Sequence, residues 1–264
     1  MSCTDFYAQD FHGMAVYESK TTFKDFKFES KDMNDEMTKT IRESMEKQYE
    51  KTFILNFNKY ESVYQEEQKL EAPSRGISMK MVSSGDGEIM YKNVKSKLKL
   101  AEEEFFGKEF LITDSLKVYN WELQSETKKI GDYTCYKAIS VQRVTEEDLA
   151  EYEKAKVKQD AAKTAFFTVT EPQERITTVW YTPEISVNQG PGEFWGLPGL
   201  ILEASHDNTI ILCSKIVLNP KNKFEIKKPK KGKRVTKKQY DSLIEKQMEK
   251  MTEDDGVIHI SVGE

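Results

Sequence analysis

Two carboxylates, Glu184 and Glu203, bracket the longest stretch of this chain that is aromatic and almost uncharged. A carboxylic acid can act in acid–base chemistry when an apolar setting lifts its pKa toward neutrality. Of the many acids here these two come closest to that setting, and a solvated or loop-anchoring role is the expectation for both. The three histidines, His12, His206 and His259, lie far apart in sequence and give little support to a triad or a metal site. The Gly85-Asp86-Gly87 tip lacks the lysine and the spacing of a phosphate loop, and no Gly-x-Ser-x-Gly elbow occurs. No catalytic residue, metal or cofactor is therefore assigned, and the chain is expected not to be an enzyme.

The chemistry that remains is binding. Met33, Met37, Ile41, Met45 and Tyr49 recur at steps of four, which puts a soft apolar stripe on one helix face. Core packing is its default use; a pliable lining for a greasy ligand and thioether ligation of Cu(I) are the sharper readings. The stretch "WYTPEISVNQGPGEFWGLPGLILE" carries more information. Trp180 and Tyr181 close a strand, and Phe194, Trp195 and Leu197 stand between two bends. Leaving Phe194 and Trp195 in water forgoes roughly 2 kcal/mol each. They must cap the protein's own core, insert into a ligand or meet another protein. Pro198-Gly199 has the residues of a type II turn, with proline presetting φ and glycine accepting a positive φ.

Such residues need elements to hold them. The chain has 264 residues, 38% of them apolar and 32% charged, so the core should be narrow and the outer faces polar. A net charge of −5 gives no overall pull toward nucleic acid, and no apolar run is long enough to span a membrane. Ten basic residues between Lys221 and Lys238 read mainly as a solvated approach to a helix. That run allows peripheral contact with a membrane surface, yet it lacks the stacking platform of a single-strand binder. Cys135 and Cys213 both fall in strand-like runs. Two buried small residues are expected, with a disulfide as the alternative if the strands are neighbours.

Alternating residues from Gly13 to about Ser30 predict an opening strand, followed by a helix over 30–52. β-Formers then run through "FILNFNKYESVYQEE", a hairpin or loop covers 73–88, and a strand starts at Ile89. Short strands are predicted around 110–112, 118–123 and 133–144, with breaks at Thr113-Asp114 and Gly131-Asp132. Thr145 and Asp148 form a capping box for a thinly apolar, solvated helix to about residue 166. Strands "RITTVWYT", "LILEAS" and "TIILCSKIVLN" follow, the last two joined at His206-Asp207-Asn208, and a closing helix begins after Thr236. Regular short strands with polar turns predict antiparallel sheet and an α+β class.

"GLPGLILE", with the flanking blocks "GMAVYESK", "FFGKEFLITDSLKVYNWELQSETKKIGDYTCYKA" and "WYTPEISVNQGPGEFWGLPGLILEAS", resembles the GLPGLI family, Bacteroidetes-type envelope proteins without an established activity. The resemblance implies a periplasmic or envelope location. The segment "YAQ" reads as the trace of an export signal whose basic start and apolar run are missing, so residues 1–12 are expected to be a disordered processing remnant and 13–264 a single domain. The order of elements is also similar, at fold level, to half-barrel lipid carriers. That likeness implies a curved antiparallel sheet with a helix across one face and peripheral helices. Met33, Met37 and Ile41 would then lie on the plug, with Phe194, Trp195, Leu197, Trp180 and Tyr181 at the mouth. The expected function is non-enzymatic binding or carriage of an apolar small molecule, lipid or partner segment. The alternative is an interaction protein docking to an outer-membrane transporter or assembly.

Overall fold

A computed structural model describes residues 11–23, 35–67, 89–161, 170–221 and 225–251. Its elements are β1 (His12–Thr21), α1 (Asp35–Gln48), β2 (Lys51–Asn58), β3 (Glu61–Glu66), β4 (Ile89–Asn93), β5 (Leu98–Phe105), β6 (Lys108–Ser115), β7 (Glu122–Ile130), β8 (Tyr133–Gln142), α2 (Glu146–Ala161), β9 (Arg175–Thr182), β10 (Leu200–His206), β11 (Thr209–Leu218), β12 (Lys233–Val235) and α3 (Lys237–Met251). The twelve strands form one open sheet in the order β12-β6-β5-β4-β3-β2-β1-β11-β10-β9-β8-β7. Every neighbouring pair is antiparallel except β12 with β6. The alternation read in the sequence is what buries one face: Gly13, Ala15 and Tyr17 point inward from β1 while their neighbours stay partly exposed.

Covalent reach requires this sheet to curl. β6 and β7 are ten strand spacings apart in the order, about 48 Å along a flat sheet. Residues 116–121 join them, and a chain of that length extends about 25 Å at most. The two ends of the sheet must therefore approach each other. The connection is anchored as it crosses, with Leu116 buried and its amide donating to the Lys97 carbonyl at 2.8 Å.

Several predicted boundaries shift for local reasons. The β-former run after α1 splits into β2 and β3 because Asn58 Oδ1 accepts the amides of Tyr60 and Glu61 at 2.8 and 2.7 Å, forming a side-chain-held turn. Thr113-Asp114 does not break the chain but lies within β6, and β5 is a strand that the sequence reading lacked. The strand expected at 118–123 begins only at Glu122, because 116–121 are the crossing connection. Gly131 (φ 56°) and Asp207 (φ 49°) turn their hairpins where expected. The whole 73–88 segment and residues 1–10 lie outside the described residues, and β1 starts at His12.

The helices are peripheral. The contacts described for α1 tie its last turn to the end of β1, where Glu46 Oε1 accepts the Phe23 amide at 3.2 Å and Tyr49 meets the Phe23 ring. α3 lies on β6 through Tyr240, whose ring is 5.3 Å from that of Phe110. α2 is solvated as expected, with Leu149 and Val157 exposed. Its capping box is formed: Thr145 Oγ1 accepts the Asp148 amide at 3.1 Å, and Asp148 accepts the Thr145 amide at 2.7 Å. Thr145→Ala should lower stability by about 1 kcal/mol. Faster amide exchange confined to the first turn of α2 is the measurement, and unchanged exchange would contradict this role.

Candidate functional site

The connection from β9 to β10, residues 183–199, fills the curled face that a helix was expected to cross. It lies between the two halves of the sheet and bonds to both. From its own side Leu200 and Ile201 amides donate to the carbonyls of Ile185 and Gln189, each at 3.0 Å, and the Gly196 amide reaches the Asn188 carbonyl. From the far half, Ser62 Oγ donates to Gln189 Oε1 at 2.9 Å, and Lys92 Nζ donates to the carbonyls of Gly190 and Phe194 at 2.7 and 3.0 Å. Lys99 pairs with Glu193 beside them.

These contacts come from one row of the sheet. Phe57, Ser62, Lys92, Lys99 and Asp114 stand directly opposite one another across β2 to β6. Two lysines as cross-strand neighbours repel unless each finds its own acceptor. The loop supplies both, a carboxylate for Lys99 and two carbonyls for Lys92. Lys92 is fully buried, and loss of hydration pulls its ammonium down to about 7, with Glu193 acting weakly in the opposite direction. Burial likewise pushes the hydroxyls of Tyr17 and Tyr119 up. Tyr17 Oη donates to the Ile201 carbonyl at 2.7 Å and so holds the start of β10.

The aromatic residues of the loop are used in packing. Phe194 and Leu197 are buried with Val179, Tyr181, Ile201 and Ala204. Trp195 is half-buried; its indole N–H donates to the Lys117 carbonyl at 2.7 Å, while its own carbonyl accepts the Trp121 indole N–H at 2.9 Å. Tyr119 stacks on Trp121 with ring centres 4.8 Å apart and tilts against Phe194. The crossing connection and the loop thus lock each other. Phe194 and Leu197 cap the protein's own core.

Other expected site residues separate. Trp180 and Tyr181 are adjacent in β9 and so face opposite sides of the sheet. Tyr181 joins Phe194. Trp180 lies under Lys128, whose ammonium is 4.4 Å from the ring centre and pairs with Glu203 at 2.7 Å. Glu184 accepts the Thr134 amide at 2.8 Å, so both acids have structural partners. Met33 lies outside the described residues, as do the side chains of Met37 and Ile41 in α1.

The type II turn at Pro198-Gly199 is not formed as expected: the left-handed glycines of the loop are Gly192 (φ 51°) and Gly196 (φ 96°). Gly199 serves close approach instead, since a Cβ there would sit 2.2 Å from the Thr182 carbonyl oxygen. Cys135 and Cys213 are free thiols, buried in one core cluster and raised by burial to about 11 and about 12. Their strands are separated by β9 and β10, and no disulfide joins them.

Sequence reading missed Lys92, Ser62, Gln189 and Trp121. One signal was present: in "IMYKN", alternation from inward Met90 places Lys92 on the same inner face.

Residues 121–203, from Trp121 through the loop to Glu203, match a family model described as "Protein of unknown function (Porph_ging)". The matched segment covers β7 to β10 together with the interlocked tryptophans. No curated protein matches the chain. Among solved structures the chain is similar to PNGF-II, in C2 and P21 crystal forms, each with a TM-score of 0.50 and 15% identity. The match covers 90% of this chain and 33% or 34% of the PNGF-II chain, so this chain spans about a third of that protein's length. At this identity the likeness shows the fold alone.

Proposed function

We propose that this chain is a non-enzymatic binding module of the bacterial cell envelope, of the GLPGLI type, that engages a partner protein through the open face of β8 to β11. One observation carries the reading: the curled face is occupied by the protein's own loop, while the opposite face of the same strands exposes several large apolar side chains. Register places Lys137, Ile139 and Val141 of β8, Ile176, Thr178 and Trp180 of β9, Glu203 and Ser205 of β10, and Ile210 and Leu212 of β11 on that side. Ile176 (58% exposed), Ile210 (53%) and Leu212 (41%) are open to water, with Val141 beside them. An apolar strip rimmed by Lys128, Lys137 and Glu203 has the form of a protein-contact surface. Carriage of a lipid or other apolar molecule would instead need the loop to leave the curl, with α1 moving over it as a plug. Periplasmic location follows from the family resemblance.

Ile176→Lys and Leu212→Lys place charges on exposed positions and should leave the melting temperature within a few degrees of wild type. Each should abolish capture of the envelope partner by immobilised protein, measured side by side with wild type. Undiminished capture by both variants would overturn the strip as the contact surface. A stoichiometric lipid found by native mass spectrometry on protein from its own host would favour the carrier reading.

A further inference from the structure

The basic run between β11 and α3 is more ordered than a solvated approach to a helix needs to be. Ile226 packs on the outer cluster of Val63, Tyr91, Leu100 and Leu111, and Pro229 is buried. Glu102 Oε1 accepts the amides of both Lys230 and Lys231, at 2.7 and 2.8 Å. Gly232 lies against the backbone of Glu109 and Phe110, where a Cβ would meet the Glu109 carbonyl carbon at 2.5 Å. Residues 233–235 then pair with β6, and Thr236 caps α3 by accepting the Gln239 amide at 3.2 Å. A segment fixed at this many points holds its side chains in a set array.

That array is cationic. Lys227, Lys228, Lys230, Lys231, Lys233, Arg234, Lys237 and Lys238 are all exposed. Lys227 pairs with Glu225 and Lys237 with Asp241, while Lys228 lies over the Tyr91 ring. Among the described residues the side chains of Lys230, Lys231, Lys233, Arg234 and Lys238 form no ion pair, although Glu102 holds the backbone of Lys230 and Lys231, and Glu104 and Glu109 stand on the neighbouring hairpin. Acids outnumber bases 45 to 40 in the chain as a whole, so unpaired cations concentrated on one anchored segment are a local feature.

A second feature lies at the same corner. Phe106, at the tip of the β5–β6 hairpin and three residues from Glu109, is 51% exposed and has a φ of 48°. A bulky residue rarely adopts that conformation, which here turns an aromatic ring outward at a loop tip. We propose that this corner is a peripheral membrane-contact surface: the cations of 227–238 meet phosphate headgroups of anionic lipid, and Phe106 inserts at the interface. Basic clusters are drawn to anionic leaflets, and aromatic rings settle at the headgroup level. A nucleic acid would use stacking aromatics spaced along the run, and Phe106 alone does not make such a platform. This surface is distinct from the apolar strip on β8 to β11, and the two can be tested apart.

The test is co-sedimentation of the full chain with vesicles of phosphatidylcholine plus phosphatidylglycerol, against phosphatidylcholine alone, over a salt series. Binding to the anionic vesicles only, lost at high salt, is expected. Lys230→Glu with Lys231→Glu and Lys233→Glu should weaken it by about two orders of magnitude, and Phe106→Ser by about tenfold. Circular dichroism and the melting temperature confirm that each variant is folded, and Ile176→Lys should bind vesicles as wild type does. Wild type that stays in the supernatant, binds both vesicles equally or is unaffected by the reversals would overturn the proposal. Retention by a sulfated polysaccharide or nucleic acid without vesicle binding would also overturn it and reassign the cations.

Discussion

Gly199→Ala should destabilise the protein by more than about 3 kcal/mol, enough to lower its melting temperature by roughly 10 °C or to prevent soluble expression. The added methyl would sit 2.2 Å from the Thr182 carbonyl oxygen, 2.5 Å from its carbon and 2.8 Å from the Pro183 nitrogen. All three are backbone atoms of the facing segment, so no side chain can rotate away. Relief would require β10 to move from β9 at Leu200↔Thr182, where the sheet hands over to the loop. Gly107→Asn is the control. Gly107, unlike Gly199, has a positive φ, 69°, but a Cβ there meets nothing within 4 Å, so the cost should stay near 1 kcal/mol or below. Thermal unfolding of the two variants checks the difference, and equal losses would show that close approach is not what Gly199 provides.

The second large effect is a pH dependence that belongs to Lys92. Its ammonium has a pKa of about 7 in the fold against an ordinary 10.5. Between those values the unfolded chain holds the proton and the folded chain does not, so stability rises with pH across that window and is unaffected by this group below it. Lys92→Met removes the titration while keeping most of the volume. At pH 7 two terms oppose each other in the variant: relief from burying a partly charged amine, and two carbonyls, of Gly190 and Phe194, left without a donor. Near-balance is the expectation there. By about pH 9.5 the wild type should have gained about 3 kcal/mol on the variant. Urea unfolding at both pH values measures this directly, because the exposed lysines titrate alike in both proteins. A stability difference that does not change with pH would refute the assignment.

Both predictions concern the same loop, and they show where sequence reading ended. Gly199 was legible as a glycine that matters, but the reason was misread. Local chemistry offers a positive φ, whereas contact with Thr182 exists only after β9 and β10 pair. Lys92 was hidden for a related reason. Its alternation with Met90 was visible, yet a lysine in a strand reads as solvent-facing until something supplies acceptors inside. Those acceptors come from residues about a hundred positions away. Phe194 and Trp195 were recognised as residues that must be covered. Trp121 and Lys117, which help to hold Trp195, became partners only because a short connection crosses from β6 to β7.

The sequence by itself determined the antiparallel strands, the Gly131 and Asp207 turns, the Thr145 cap and the aromatic loop as the place of interest. Each of these rests on neighbours within a few residues, where propensity, alternation and capping act. Only the tertiary structure decided that the sheet curls, that a loop fills the curl, that Trp180 and Tyr181 part to opposite faces and that the two cysteines are free thiols on strands that do not pair. Those outcomes depend on strand order and on which distant backbone groups meet, and the local pattern of a chain carries neither.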